Sequence, residues 1–222
     1  MEDMKNKLEI LYEDNHIIVV VKPFNILSQS DDTKDLDMLS IVKNYIKETY
    51  QKPGNVYIGL VHRLDRPTGG IMMFAKTSKA ASRLSKQIQE KQMIKKYLAV
   101  IKGNLEKKEG KLTNYVMKTN NNDSIITTKE KGKEAILSYK VIKEQKDTSL
   151  IEVILHTGRH HQIRVQFAHI GHALYGDQRY GLQDKKQLAL YAYQLSFHHP
   201  VTKEQLGFTH IPNKIGIWKE LI

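Results

Sequence analysis

One short segment of the chain concentrates side chains that could do chemistry. Its sequence is His62-Arg63-Leu64-Asp65-Arg66-Pro67-Thr68-Gly69-Gly70. The segment follows a predicted strand, Val56–Val61, and leads into another, Gly70–Ala75, and loops held by a sheet are common places for catalytic groups. Cationic neighbours keep the Asp65 carboxylate ionised, so that it could act as a nucleophile or a base. The alternative is that Asp65 forms an Asx-turn before Pro67, with the arginines merely solvated.

A second cluster leads into a predicted helix, His160–Ile170, which Gly171 should end. Its sequence is Thr157-Gly158-Arg159-His160-His161-Gln162-Ile163-Arg164-Val165. Gly158 frees the backbone there, and unpaired N–H groups at a helix start attract phosphate or carboxylate. Arg164 lies one turn inside the helix and could ion-pair across a cleft. The inward face of this helix should carry Ile163, Phe167 and Ile170.

The histidines of this region invite a metal-site interpretation. They stand at positions 160, 161, 169 and 172, but no carboxylate lies beside them at ligand spacing and the His-Glu-x-x-His pattern is missing. Contact with RNA or water is the favoured alternative. The chain has no cysteine, which excludes disulfides and thiolate chemistry. Nor does it contain a nucleophile elbow, a Walker loop or a dinucleotide fingerprint.

The periodicity of the remaining sequence predicts an α+β domain built around a mixed, largely antiparallel sheet with flanking helices. The other predicted strands are Leu8–Tyr12, His16–Lys22, Lys95–Lys102, Ala135–Lys143, Leu150–His156, Leu188–His198 and Gln205–Thr209. The other predicted helices are Asp35–Thr49 and a helix capped by Ser78 that runs to about Gln92. The polar stretch Gly103–Lys133 should carry a mobile loop. We find no linker, so a single domain over residues 1–222 is expected.

The charge of the chain points to an anionic partner. Lys and Arg number 35 against 24 Asp and Glu, which gives a formal net charge of +11. Nucleic acid is the leading candidate, and a generally Lys-rich surface is the alternative. The N-terminal segment Met1–Asn15 lacks the apolar core of a signal peptide, and no run is long enough to span a membrane. A soluble, cytoplasmic protein is therefore expected.

These motifs, taken in order, closely resemble the RluA-type family of pseudouridine synthases. Besides the two clusters, the matching segments are Val21-Lys22-Pro23, Phe74-Ala75-Lys76-Thr77, Lys96-Tyr97-Leu98-Ala99, Gly176-Asp177 and Tyr180-Gly181. Matches extend from about Leu8 to Thr209. Because the first motif begins so early, a short form without the family's separate N-terminal RNA-binding domain is expected. The resemblance implies the pseudouridine synthase fold, with a catalytic cleft.

The resemblance also assigns roles to individual residues. Asp65 matches the family's nucleophile, Tyr97 its active-site tyrosine and Arg164 the arginine that pairs with the aspartate. Arg63 matches the side chain that replaces the flipped base. The alternative for Tyr97 is an ordinary core tyrosine of a strand.

Three departures from the family pattern concern loop geometry. Asn25 stands where glycine is usual, Gly69 replaces a common serine, and Ala173 replaces a common proline. Asn25 is tolerable because asparagine also adopts positive φ. None of the three changes touches the chemical groups.

The predicted function is isomerisation of specific uridines in rRNA or tRNA, with the target base flipped out of the RNA. RNA contact is assigned to the arginines and histidines of both clusters, namely His62, Arg63, Arg66, Arg159, His160 and His161. No cofactor, metal or obligate protein partner is expected, and the protein should be a monomer. Whether Asp65 attacks the base, attacks the sugar or removes a proton stays open. The alternatives are an inactive RNA-binding or ribosome-assembly protein on the same fold, and a metal-dependent nuclease.

Overall fold

The computed structural model describes residues 8–222, so the first seven residues of the segment assessed for a signal peptide lie outside it. The backbone divides into two compact units. The first runs up to Met93 and includes Gln194–His210, and the second comprises Ile94–Tyr193 and Ile211–Ile222. Both units are discontinuous in sequence. This division does not test whether residues 1–222 form a single domain, and that expectation stays a prediction.

Strands make up most of the regular structure. They are β1 (Ile10–Glu13), β2 (Ile17–Lys22), β3 (Gly59–Leu60), β4 (Gly69–Ala75), β5 (Ile94–Lys102), β6 (Glu109–Lys118), β7 (Ser124–Thr127), β8 (Lys133–Glu144), β9 (Thr148–Leu155), β10 (Leu190–His198) and β11 (Gln205–Thr209). The helices are α1 (Met38–Thr49), α2 (Ser78–Gln89), α3 (Gln162–His169) and α4 (Ile217–Leu221). No helix of residues 8–222 is long and apolar enough to cross a membrane.

The first unit is built on two strands that are buried on both faces. Its strands pair in the order β1-β2-β4-β10, with β3 against β4 and β11 against β10. Every residue of β2 and β4 is buried, which explains why both read as continuous apolar runs. One face of these strands packs against α2, through Ala80 and Leu84. The two strands that flank the candidate loop are therefore rigidly held.

The helices of the first unit begin close to their predicted positions. Helix α1 is capped by Asp37, whose side chain accepts the Ser40 N–H, so it starts later than the predicted Asp35. Helix α2 is capped by Thr77 and not by Ser78, because the Thr77 hydroxyl accepts the Ala80 N–H at 3.1 Å. The predicted strand Val56–Val61 shortens to β3.

The second unit is an antiparallel sheet with a helix on one face. Its strands pair in the order β5-β9-β8-β6-β7. Helix α3 packs on this sheet, where the Phe167 and Tyr139 ring centroids lie 5.7 Å apart. As predicted, Ile163 and Phe167 are buried, and Gly171 follows α3 at φ +83. Ile170 is 37% exposed, so its predicted place on the inward face is wrong.

The segment Gly103–Lys133, expected to carry a mobile loop, contains the two strands β6 and β7. The mobility of the turns between its strands stays a prediction. Strand β6 pairs with β8 over eight residue pairs, and β7 pairs with β6. Side chains of β6 alternate between exposed and partly buried over much of its length, so its outward face is polar. That polarity made the segment look like a loop. The short helix α4 was not predicted, because five residues are too few to show a helical period.

The α+β class with a largely antiparallel sheet and flanking helices is confirmed. The pairs β1–β2, β2–β4, β3–β4, β5–β9, β6–β7, β6–β8, β8–β9 and β10–β11 run antiparallel. An isolated bridge between Leu27 and Asp37 is parallel. The hairpin of β1 and β2, the pair β8 and β9, and the closing hairpin of β10 and β11 lie where their sequence patterns placed them.

Candidate active site

The loop between β3 and β4 carries Asp65 and is fixed through its backbone. The Leu64 N–H donates to Ser28 Oγ at 3.0 Å, and the same hydroxyl donates to the Leu64 carbonyl at 2.6 Å. The Thr68 N–H donates to the Asp65 carbonyl at 2.9 Å and closes a tight turn. Leu64 and Ser28 are both buried. The chain is therefore held on both sides of Asp65.

A buried lysine lies beneath this loop. Lys22, the last residue of β2, is fully buried, and its Nζ donates to the carbonyls of Pro23, Arg66 and Thr68 at 2.9, 3.0 and 2.7 Å. An ammonium has three N–H donors, which matches these three acceptors. Burial lowers the pKa of Lys22 to about 7, and the negative charge of Asp65 acts in the opposite direction. Lys22 thus ties β2 to the loop and interacts electrostatically with Asp65.

Neither Lys22 nor Ser28 has a role that follows from the motifs of the sequence. A signal for Lys22 was present, because it directly follows the apolar run Ile17–Val21 in a strand buried on both faces. A charged residue in such a strand needs partners, since an unpaired buried charge is strongly unfavourable. No comparable local pattern marks Ser28, whose partner is 36 residues away.

The two arginines and the histidine of the loop have different surroundings. Arg63 is exposed, and Arg66 is half-exposed with its Nη1 2.7 Å from Asp35 Oδ2. His62 instead uses Nε2 to accept the Met73 N–H at 3.0 Å, which links it to β4. The two arginines are therefore presented at the surface of the first unit. The predicted RNA contacts of Arg63, Arg66 and His62 stay predictions.

In the second unit, Tyr97 and Arg164 are both buried. Tyr97 is 6% exposed and lies within β5, opposite Val153 of β9. Arg164 is 3% exposed and lies within α3. Its Nε and Nη2 donate to the two carboxylate oxygens of Asp177, each at 2.8 Å. Such a bidentate pair fixes the plane of the guanidinium group.

Asp177 is held in a polar cradle with no exposure to solvent. Its Oδ1 also accepts the backbone N–H groups of Arg179 and Tyr180 at 2.9 and 3.1 Å. Burial by itself raises the pKa of Asp177, but the hydrogen bonds and charge of Arg164 outweigh it and lower that pKa below its usual value. Gly176 precedes it at φ +71, where a Cβ would meet a backbone carbonyl oxygen at 2.1 Å, so glycine is required.

The partner of Arg164 is thus the main residue that the sequence analysis missed. Asp177 was part of a matching motif, Gly176-Asp177, but was given no function. The predicted pairing of Arg164 with Asp65 stays a prediction. The guanidinium edge formed by Nε and Nη2 is used by Asp177.

The predicted RNA-binding residues of the second cluster take part in contacts within the second unit. The rings of His160 and His161 stack with centroids 3.7 Å apart. His160 Nδ1 lies 3.1 Å from Ser124 Oγ, and His161 Nδ1 lies 2.8 Å from the Tyr180 hydroxyl. Arg159 Nε donates to a backbone carbonyl of β8 at 2.8 Å. Strand β7, which carries Ser124, therefore helps to orient the start of α3. RNA contact by these residues stays a prediction.

The described part of the chain, residues 8–222, contains no group of three or more His, Asp or Glu side chains placed to hold a metal ion. His160 and His161 instead contact the Ser124 hydroxyl and the Tyr180 phenol. A reaction without metal or cofactor stays a prediction.

Comparison with known proteins identifies the family. The family model for RNA pseudouridylate synthases matches residues 16–169, which include both clusters. The chain belongs to this family. The predicted RluA-type resemblance and enzyme class are confirmed, since the family consists of isomerases that act on RNA.

Two curated relatives and one solved structure illustrate the likeness. The chain is 34% identical over 219 residues to ribosomal large subunit pseudouridine synthase C of Buchnera aphidicola subsp. Schizaphis graminum, covering 92% of this chain and 68% of that protein. It is 31% identical over 226 residues to tRNA pseudouridine synthase C of Haemophilus influenzae, covering 91% and 92%. The structure of human RNA pseudouridylate synthase domain containing 4 superposes with a TM-score of 0.80 at 20% identity, covering 95% and 92%. The predicted pseudouridine synthase fold is confirmed.

Proposed function

We propose that this protein converts specific uridines of a structured RNA to pseudouridine, with Asp65 as the nucleophile. The observation that carries the proposal is the anchoring of the Asp65 loop by Lys22 and Ser28. A reacting carboxylate must be held within a fraction of an ångström of its target, and backbone hydrogen bonds on both sides of Asp65 supply that restraint. Relatives named as acting on ribosomal large subunit RNA and on tRNA make both RNA classes candidate substrates.

The proposed reaction exchanges the bond between the ribose and a uracil nitrogen for a bond between the ribose and a uracil carbon. The bond between ribose C1′ and uracil N1 breaks, the base rotates, and C1′ bonds to C5. The hydrogen on C5 leaves as a proton and N1 gains one, so no electrons enter or leave and no cofactor is required. Asp65 begins the cleavage by attack on the sugar, by attack on the base or by removing a proton.

The remaining roles in the proposal follow the family resemblance. Tyr97 stacks on the detached uracil and assists proton removal from C5, directly or through water. Arg164 compensates the charge of Asp65, and the bidentate contact with Asp177 supports this role by fixing the orientation of the guanidinium group. Arg63 takes the place of the flipped uridine, which its exposure on the Asp65 loop supports.

The basic surface supplies affinity in this proposal. Phosphate contacts by Lys and Arg give binding that weakens steeply with salt, and a net charge of +11 suits that mode. A cytoplasmic monomer that needs no protein partner stays a prediction.

Replacing Asp65 tests the proposal directly. Asp65→Asn should reduce tritium release from C5-labelled uridine in RNA by at least about 10⁴-fold, because the amide can neither attack nor take up a proton. RNA affinity and the melting temperature should change little, since the anchoring hydrogen bonds of the loop use backbone atoms of Leu64, Arg66 and Thr68.

The matched control is Asp147→Asn, which removes the same charge from an exposed turn of the second unit. It should retain wild-type turnover. Substantial tritium release by Asp65→Asn would disprove the nucleophile assignment. Absence of pseudouridine formation by the wild-type protein on both rRNA and tRNA, with RNA binding retained, would favour the inactive RNA-binding alternative.

A further inference from the structure

The sheet face of the second unit that bears Tyr97 also bears a lysine. Side chains alternate along a strand, so Lys95 and Tyr97 of β5 point to the same face. Tyr97 lies opposite Val153 of β9, which in turn lies opposite Tyr139 of β8. The Tyr139 ring contacts Phe167 of α3. Lys95 therefore lies on the face that α3 covers and that carries the proposed active-site tyrosine.

Folding leaves the Lys95 ammonium without an anion. Burial is what lowers the pKa of Lys95, and no neighbouring charge or hydrogen bond opposes it. Among residues 8–222, no group forms a hydrogen bond or an ion pair with it. Buried charges in proteins are normally paired, because loss of hydration is otherwise uncompensated. The neighbouring Lys96, on the opposite face, follows this rule, with Nζ 3.5 Å from Glu152 Oε2.

The space beside the ammonium is kept open by a glycine. A Cβ on Gly158 would lie 3.4 Å from Lys95 Nζ, so the ammonium lies against the backbone of that residue. Gly158 is exposed and stands in the loop that leads into α3. The ammonium is therefore largely buried but lies beside a solvent-facing backbone that has no side chain to shield it. An anionic group arriving from solvent can reach it there.

We propose that Lys95 binds a backbone phosphate of the RNA next to the target uridine. The inference rests on the proposed function, because it makes the RNA strand the ligand of this face. A phosphate oxygen supplies the full negative charge that the ammonium lacks, and a lysine acts on it as a point charge. Phosphate contacts position an RNA without reading its sequence. Lys95 is thus a positioning residue that fixes the strand while Tyr97 meets the base.

RNA affinity measured for Lys95→Met and Lys96→Met compares a lysine on the sheet face that bears Tyr97 with a lysine on the opposite face. Lys95→Met should raise the Kd for a substrate RNA by about tenfold and make the salt dependence shallower by about one unit of slope. Lys96→Met removes the same charge one residue away and should change Kd by less than about twofold, because Lys96 lies on the opposite face and is already paired with Glu152. Equal effects of the two substitutions would overturn the proposal.

A substrate with a single uncharged linkage identifies the phosphate. The RNAs carry one methylphosphonate linkage, either 5′ or 3′ of the target uridine. The Kd of each RNA is measured with the wild-type protein and with the variants Lys95→Met and Lys95→Gln. At the phosphate that Lys95 contacts, the wild type loses about tenfold in affinity, whereas the variants lose nothing further. If the penalty of Lys95→Met is the same on the charged RNA and on both neutral-linkage RNAs, the proposal is wrong.

A structural role for Lys95 would give a different result. Because the substitution removes an unpaired buried charge, Lys95→Met should raise the melting temperature of the free protein. A lowered melting temperature would contradict an unpaired ammonium. These experiments measure RNA binding and protein stability, so their results are separable from the proposed reaction. A wild-type protein that binds RNA but forms no pseudouridine would disprove the proposed function. The binding data for Lys95→Met would then still decide whether Lys95 contacts a phosphate.

Discussion

Two aspartates beside cationic side chains have very different surroundings. Asp177 is fully buried, and its carboxylate is occupied by Arg164 and two backbone N–H groups. Asp65 is only partly buried on a surface loop, next to the exposed Arg63. A buried carboxylate that already accepts four hydrogen bonds is suited to positioning Arg164 and not to attacking a substrate. The structure therefore separates the two aspartates, which the sequence alone presents as similar acidic residues in matching motifs.

The exposure of Arg63 leads to a prediction at the same scale. If Arg63 fills the gap left by a flipped uridine, Arg63→Ala should slow single-turnover conversion most when the target is stacked in a helix. The loss should be smallest on a target already splayed from a loop, where extrusion costs less than the usual few kcal/mol. The measurement compares two RNAs that differ only in local pairing of the target.

Two further variants give this comparison its controls. Arg63→Lys keeps the charge but lacks the planar group, so it should behave like the alanine variant if stacking matters. Arg164→Met should lose the same factor on both RNAs, because its defect lies in the chemistry. An equal loss for Arg63→Ala on both substrates, rescued by lysine, would assign Arg63 to a phosphate contact instead.

At the scale of elements, the Asp65 loop depends on residues that precede it by more than 30 positions. Lys22 reaches the carbonyls of Arg66 and Thr68 from the end of β2, and Ser28 brackets Leu64. The register of β2 against β4, in which Lys22 pairs with Gly70, brings the lysine beneath the loop. The loop thus has the rigidity of the two buried strands, although it has no regular structure itself.

This dependence predicts a catalytic defect for Lys22→Met. The substitution leaves three carbonyl groups without their donor and should lower the free energy of unfolding by about 1–3 kcal/mol. It should also reduce kcat by tenfold or more with RNA affinity nearly unchanged, since the loop that positions Asp65 is loosened. Lys76→Met is the matched control, because Lys76 is a buried lysine of the same unit that pairs with Glu13 away from the loop. Comparable losses of kcat in both variants would show a general effect of destabilisation.

On the scale of the whole molecule, the excess positive charge coexists with a strongly buried ion pair. Arg164 and Asp177 are 4% and 0% exposed at their side chains, whereas Arg179 and Asp123 are 46% and 41% exposed. Exposed ion pairs contribute about 0–1 kcal/mol to the free energy of unfolding. Breaking a buried pair is more destabilising, because it leaves an uncompensated charge inside the protein. Stability should therefore depend on the buried pair, while the exposed cations remain available to RNA.

The pH dependence of unfolding checks this contrast. Because the pKa of Asp177 is lowered in the folded protein, its stabilisation is fully present above the ordinary value of 3.8 and is lost as pH falls through the lowered pKa. At pH 7, Asp177→Asn should lower the free energy of unfolding by about 3 kcal/mol or more. Asp123→Asn should lower it by no more than about 1 kcal/mol.

The difference between wild type and Asp177→Asn should then shrink as the pH is lowered towards 2, as measured by denaturant unfolding at several pH values. A difference that is constant with pH would mean that the carboxylate charge of Asp177 does not stabilise the fold. Asp123→Asn provides the baseline for the general effect of acid.

The sequence by itself determined the family, the α+β class and most of the strands. Buried strands such as β2 and β4 are continuous apolar runs, and the motifs around Asp65 and Arg164 are local in the chain. Asn25 has the positive φ that its replacement of a glycine predicted, with a value of 65. These features depend on neighbours along the chain, which sequence patterns report directly.

Only the tertiary structure decided which polar groups meet. Lys22 finds its acceptors 44 and 46 residues away, Ser28 meets Leu64 across 36 residues, and Ser124 reaches His160 across 36 more. The segment Gly103–Lys133 looked like a loop because one face of β6 is polar, and its pairing with β8 was hidden. Hydrogen bonds between distant residues depend on strand register and on burial, and a single sequence records neither of them.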